Sequence, residues 1–235
     1  MRKFFRISIV VYFGVLGAVP AESFYAPTHL NTLLTNSDMI VLGKIRKINK
    51  SDFVIDIEDM FLGAFVGSGV RIKKFEDWAC AARYSKYAIG QEALFFLKRT
   101  SEDKKVSNSI FTVIGSANEG EWELRGGKIL DRIPPRSLER SPLTGSEGNR
   151  LVKRTTIDGS MQTYFADYDK KSFLDAIQSY PKCFQIESGG IDSRNRHMSQ
   201  TCTASELEKF IAQSPSHQKV AEELLILVND ENDKR

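Results

Sequence analysis

Alternation of apolar and polar residues dominates the chain from residue 39 to 133. The run MIVLGKIRKI (39–48) starts apolar and then alternates. FVIDIEDMFLG (53–63) sets Phe53, Ile55 and Ile57 against Asp56 and Glu58. A period of two places one set of side chains on a buried sheet face and the other in water, so both runs predict strands. The linker NKSD between them carries Asn49 and Asp52, residues suited to a hairpin turn. GVRIKKF (69–75), EALFFLKR (92–99) and SIFTVIG (109–115) predict three more strands. The second of these is apolar throughout its middle, as a central strand is. GEWELRGGKILDRI (120–133) reads as a hairpin, because Gly126 and Gly127 supply the positive φ angles of a two-residue turn.

After residue 133 the pattern changes. PPRSLERSPLTGSEGNR (134–150) is broken by Pro, Gly, Ser and charge and reads as a mobile loop or linker. LVKRTTI is a further short strand. Helical spacing then takes over. Phe173, Leu174 and Ile177 share one face of 169–180, with Asp169 as N-cap and Pro181 as terminator. Thr203 and Glu206 stand at capping-box spacing ahead of Leu207, Phe210 and Ile211. Pro215 opens a third helix, which carries Val220, Leu224, Leu227 and Val228. Strands followed by helices define the α+β class. The expected organisation is a signal at 1–21, a β-domain over 22–133, the linker 134–150, and a mainly helical C-terminal extension over 151–235 packed on the β-domain.

The first 21 residues change the charge argument. MRKFFR is basic, ISIVVYFGVLGAV is apolar, and Val19 and Ala21 have the small side chains a signal peptidase accepts. The apolar run is too short for the roughly 20 residues that span a bilayer. The expectation is export by a cleaved signal to the periplasm or beyond, with no stable membrane anchor left. Of the 33 basic residues, Arg2, Lys3 and Arg6 leave with the signal, and the remainder balance the 30 acidic ones. Without a basic excess to neutralise phosphates, nucleic acid is not expected as a partner.

The exported chain keeps Cys80, Cys183 and Cys202. An oxidising compartment favours pairing, and three cysteines allow three single bonds. Cys183–Cys202 is favoured because the turn-rich FQIESGGIDSRNRHMSQT lies between them. Cys80 is then a buried free thiol or a bond to another chain.

Taken in order, SDMIVLGKI, the strand ending MFLG, YAIGQEALFFL and GEWEL with GGKIL resemble secreted bacterial proteins carrying a TIMP-like or netrin-like module. The resemblance covers about residues 35–133. It implies a small OB-like antiparallel β-barrel followed by the C-terminal group of short helices. It transfers no functional residue. Tissue inhibitors of metalloproteinases chelate zinc through an N-terminal cysteine, whereas the exported chain here would begin ESFYAPTHL.

Signatures of catalysis are lacking in the linear sequence. GSEG (145–148) has the wrong spacing for a nucleophile elbow, and GAFVGSGV (63–70) lacks the lysine and helix of a phosphate loop. His29, His197 and His217 form no H-E-x-x-H, and no C-x-x-C is present. Asp192, His197 and Cys202 could cluster only if Cys202 were reduced. The reading is therefore a non-enzymatic, cofactor-free and metal-free binding or inhibitory module for a protein or glycan, with Phe65, Trp78 and Tyr84 as candidate partner contacts. A cell-envelope assembly factor docking through LLILV (224–228), or an enzyme of unrecognised type, are the alternatives. Partner identity and oligomeric state are not encoded in these patterns.

Overall fold

The computed structural model describes residues 28–65, 67, 69–77, 83–100, 109–133, 150–155, 162–188 and 196–232. The expected signal peptide, Trp78, Cys80, Asp192 and almost all of the 134–150 linker lie outside the described residues. The architecture is α+β; the described residues form a nine-stranded sheet, a two-stranded hairpin and four α-helices.

The first five strands are β1 (Met39–Ile48), β2 (Asp52–Leu62), β3 (Val70–Lys73), β4 (Glu92–Arg99) and β5 (Ile110–Val113). β1 pairs antiparallel with β2, and β2 with β3; β3 runs parallel to β5, β5 antiparallel to β4, and β4 returns to β1. The alternating residues Val41, Phe53, Ile55, Ile72, Phe95, Leu97 and Phe111 fill one apolar core within this circuit. Gly43 is required there, since a Cβ would lie 2.7 Å from the Asp56 carbonyl.

β4 is buried on both faces. Ala93, Phe95 and Leu97 belong to the first core, Leu94 and Phe96 to a second. Its free edge is also divided. Leu97, Lys98 and Arg99 pair with β5, whereas Ala93, Leu94 and Phe95 pair with β6 (Glu121–Arg125). The sheet forks at Phe96, whose N–H meets Gly120 O and whose carbonyl accepts from Ile114 N. A Cβ on Gly120 would approach both Phe96 O and Ile114 O to under 3 Å, so only glycine lets the chain pass between the two prongs.

From the fork the sheet runs β6–β7–β9–β8, with β7 at Lys128–Ile133, β8 at Arg150–Thr155 and β9 at Gln162–Asp169. Gly126 and Gly127 both have positive φ in the β6–β7 turn. The second core lies on this sheet beneath α1 (Leu30–Asn36), α2 (Lys170–Ser179), α3 (Ala204–Ile211) and α4 (Pro215–Asn232). Trp122 sits at its centre, 5.3 Å from the Phe96 ring and 5.1 Å from Phe173, with its indole N–H donated to Glu119 O. The hairpin β10 (Phe184–Ser188) and β11 (Arg196–Gln200) is tied by the disulfide Cys183–Cys202, the pairing favoured from the sequence.

Asp169 caps α2 through Ser172 N–H, and Thr203 with Glu206 completes a capping box on α3. Thr203→Ala is expected to lower stability by about 1 kcal/mol in urea unfolding, the usual cost of losing an N-cap hydroxyl. In α4, Leu224 is fully buried and Leu225, Leu227 and Val228 pack on the second core, leaving Ile226 exposed. Most of the LLILV stretch is thus used within the fold. Among the described residues no helix is long and apolar enough to cross a membrane.

Candidate binding site

The fork positions a buried polar assembly. After β3 the chain crosses from Lys74 to Gln91 without regular structure among its described residues, and Arg83 is driven inward. Its side chain is 3% exposed and its partner Glu121, the first residue of β6, is fully buried. Arg83 Nε lies 3.0 and 3.1 Å from the two Glu121 oxygens, and one terminal nitrogen also donates to Glu121. The guanidinium reaches Ser85 O at 2.6 Å and Gln91 Oε1 at 2.9 Å. It lies over the rings of Tyr87 and Tyr84, 3.8 and 4.5 Å from their centroids. Such close cation–π contacts suit a desolvated guanidinium.

Burial works against the Arg83 charge, but the Glu121 carboxylate outweighs it and raises the Arg83 pKa further. Burial, reinforced by Glu121, raises the pKa values of Tyr84 and Tyr87 as well, so both phenols stay protonated. Tyr84 donates its hydroxyl to Glu121, and the Tyr87 hydroxyl accepts from Phe75 N–H. The network therefore fastens the 74–91 segment onto the start of β6.

Asn118 completes the assembly. It is 4% exposed and adopts a left-handed φ of 63° in the turn before β6, a conformation asparagine tolerates better than most residues. Its Nδ2 donates to Glu121, while its Oδ1 has no hydrogen-bond partner among the described residues. Asn118 lines a cavity of about 220 Å³ together with Lys73, Lys74, Phe75, Thr112 and Val113. The cavity opens where β3 and β5 part, because their parallel pairing ends at Ile72 and Phe111. Its lining mixes the charged Lys73, Lys74 and Glu76 with the apolar Phe75 and Val113. Such a slot can take a ligand that donates an N–H or O–H beside a small apolar group.

Phe65 and Tyr84 are brought to this half of the molecule in different roles. Phe65 is half-buried and packs on the first core, and Tyr84 is occupied in the Arg83 network. Neither stands free as an exposed anchor. Sequence reading missed Arg83, Glu121 and Asn118. An arginine in the ordinary polar run AARYSKY carries no local sign that it turns inward.

A second, larger cleft of about 890 Å³ lies between the end of β2, the β6–β7 turn, α2 and the α3–α4 junction. His217, at 1% exposure, borders it with Ser214 and Asp175. Among the described residues no group of three or more His, Cys, Asp or Glu is placed to hold a metal ion.

No family model matches the chain, and no curated protein is significantly similar to it. One solved crystal structure, described as an exosome complex RNA-binding protein, aligns with 16% identity and a TM-score of 0.25, over 90% of this chain and 98% of that one. The exclusion of nucleic acid drawn from net charge is withdrawn, since that neighbour is described as RNA-binding. A balanced total charge does not describe how charge is distributed over the surface. At this TM-score the likeness carries no argument about what the present chain binds.

Proposed function

We propose that this protein is an exported binding module in which the β1–β5 circuit acts as an OB-like barrel, similar to netrin-like modules. Its partner is a protein or glycan. The circuit order β1–β2–β3–β5–β4–β1, with β3 and β5 parallel and a single core inside, supports that reading. OB-type barrels commonly serve as binding scaffolds, although a fold by itself does not assign a partner.

The observation that carries the proposal is the β3/β5 slot, where Lys73, Lys74 and Glu76 stand with Phe75 and Val113. The Arg83–Glu121 network keeps the slot rigid, which lowers the entropy lost on binding. Export rests on the basic and apolar pattern of residues 1–21 and on the disulfide.

The test is capture of partners from the native cell envelope by the tagged mature chain, with free thiols alkylated and the eluate resolved with and without reductant. A protein or glycan recovered in fixed ratio supports the module. Filling the slot with Thr112→Trp, or reversing its rim charge with Lys73→Glu, is expected to weaken capture at least about tenfold while thermal unfolding changes little. Equal capture by folded slot variants would place binding elsewhere.

A further inference from the structure

We propose that Ser214, His217 and Asp175 form a nucleophile, a general base and a positioning carboxylate for hydrolysis of short-chain esters in the cleft beside α2 and α4. This activity goes beyond the binding role, and the cleft shares no lining residue with the β3/β5 slot.

The hydrogen bonds determine where each proton lies. Ser214 Oγ accepts the His217 backbone N–H at 3.3 Å and lies 2.8 Å from His217 Nδ1. Because Ser179 donates its own proton to the Asp175 carbonyl, Nδ1 is left as the acceptor of the Ser214 hydroxyl and the ring hydrogen sits on Nε2. On that side stand Ser179 Oγ at 3.3 Å and Asp175 Oδ2 at 3.5 Å. Ser179 has already committed its proton to Asp175 O at 2.6 Å, so its oxygen receives the Nε2–H. The Phe210 ring meets the imidazole edge-on, 4.9 Å between centroids, and fixes its plane. Burial lowers the His217 pKa, opposed by the Asp175 charge, and keeps the ring neutral with its Nδ1 lone pair available. A nucleophile within hydrogen-bond reach of a base, itself oriented by a third group, is the arrangement that activates a serine.

The reaction balances with water as the only co-reactant. Ser214 Oγ bonds to the ester carbonyl carbon as its proton passes to Nδ1. The carbon–alkoxy bond then breaks, and Nδ1–H protonates the departing alcohol. Water attacks the acyl-serine, gives one proton to Nδ1, and the serine oxygen recovers that proton as the carboxylic acid leaves. The transient imidazolium faces Asp175. Ser214 immediately precedes the 18-residue α4, and the partial positive charge of a helix N-terminus favours negative charge developing beside it. Met60, Phe61 and Leu174 supply the apolar part of the lining, and Lys170, Lys171 and Gln213 belong to its polar part. The substrate class is therefore a short acyl group on a polar alcohol.

Ser214 also caps α4, so the test must separate capping from catalysis. Asparagine caps a helix as well as serine does, which makes Ser214→Asn the informative variant. The purified exported chain is treated with a fluorophosphonate probe and assayed with p-nitrophenyl acetate. The expected result is a single adduct mapped by mass spectrometry to Ser214. Folded Ser214→Asn and His217→Gln should be unlabelled, with kcat/KM down at least about a hundredfold. Asp175→Asn should lower kcat about tenfold with KM unchanged, as a residue acting through His217 would. Absence of an adduct, an adduct on another residue, or undiminished hydrolysis by Ser214→Asn would overturn the proposal. Loss of labelling with retained partner capture would separate this activity from the binding role.

Discussion

Glu121→Leu is expected to destabilise the protein by about 3–5 kcal/mol, the largest effect of any substitution considered. It removes one member of a fully desolvated pair and leaves the Arg83 guanidinium buried without its counter-charge. Tyr84 and Asn118 also lose their acceptor. The sign reverses when both charges go. Arg83→Met with Glu121→Leu should recover more than half of the loss, because two apolar side chains replace two desolvated ions. Urea unfolding of the four members of this double-mutant cycle measures the coupling directly. If Glu121→Leu unfolds like the parent, the pair is more solvated than its burial indicates. The double variant also bears on function, since a stable protein with a looser 74–91 segment should capture its partner less well.

Most of the strands and helices were legible because they have one wet and one dry face. In 53–57 the alternation of Phe53, Ile55 and Ile57 with Val54 and Asp56 is a period-two pattern, and the structure places Phe53 and Ile55 in the first core. The helix over 170–179 was similarly visible through Phe173 and Ile177, with Asp169 as the cap. Less legible were β9 and the β10–β11 hairpin, where QTYFADYD, FQIES and RHMSQ are short and partly polar. Their pairing comes from neighbours distant in sequence and, for the hairpin, from the flanking disulfide. The double burial of β4 was readable from EALFFLKR, but the forking of its edge between β5 and β6 was not, because hydrogen-bond partners leave no mark on a strand's own composition.

Both candidate sites were hidden for a related reason. Arg83 and Glu121 are 38 residues apart, and nothing in AARYSKY or EGEWEL marks them as dry. Ser214 and His217 are close in sequence, yet S-P-S-H reads as a helix start. Asp175 and Ser179 join them only through the packing of α2 against α4. Motif searches rely on chemistry being local, and here the polar groups are assembled by tertiary contacts.

Asp131→Asn is expected to stabilise the protein by about 2–3 kcal/mol at pH 8 and to change little at pH 4. Asp131 lies on β7, two residues beyond Ile129 and therefore on the same face of the strand, toward α4. Desolvation pushes its pKa up to about 7; Lys219 opposes the shift, and Glu223 and Glu119 add to it. Lys219 is already engaged with Glu223 at 2.6 Å, which weakens its help. With the folded pKa above the unfolded 3.8, the folded state holds a proton that the unfolded state has lost. Stability therefore declines as pH rises from about 4 and levels off once pH passes about 7. Three pKa units correspond to about 4 kcal/mol, and the lower expectation allows for screening of a side chain that is only half-buried. Asparagine removes the charge while keeping the shape, so the variant's stability should be nearly flat across this interval. Unfolding free energies of both proteins between pH 4 and 8 give the comparison. Parallel curves would mean that Asp131 is hydrated in the folded state. A carboxylate retained at such a cost, between the sheet and the helix bearing His217, also makes the docking of α4 weaker at neutral than at acidic pH.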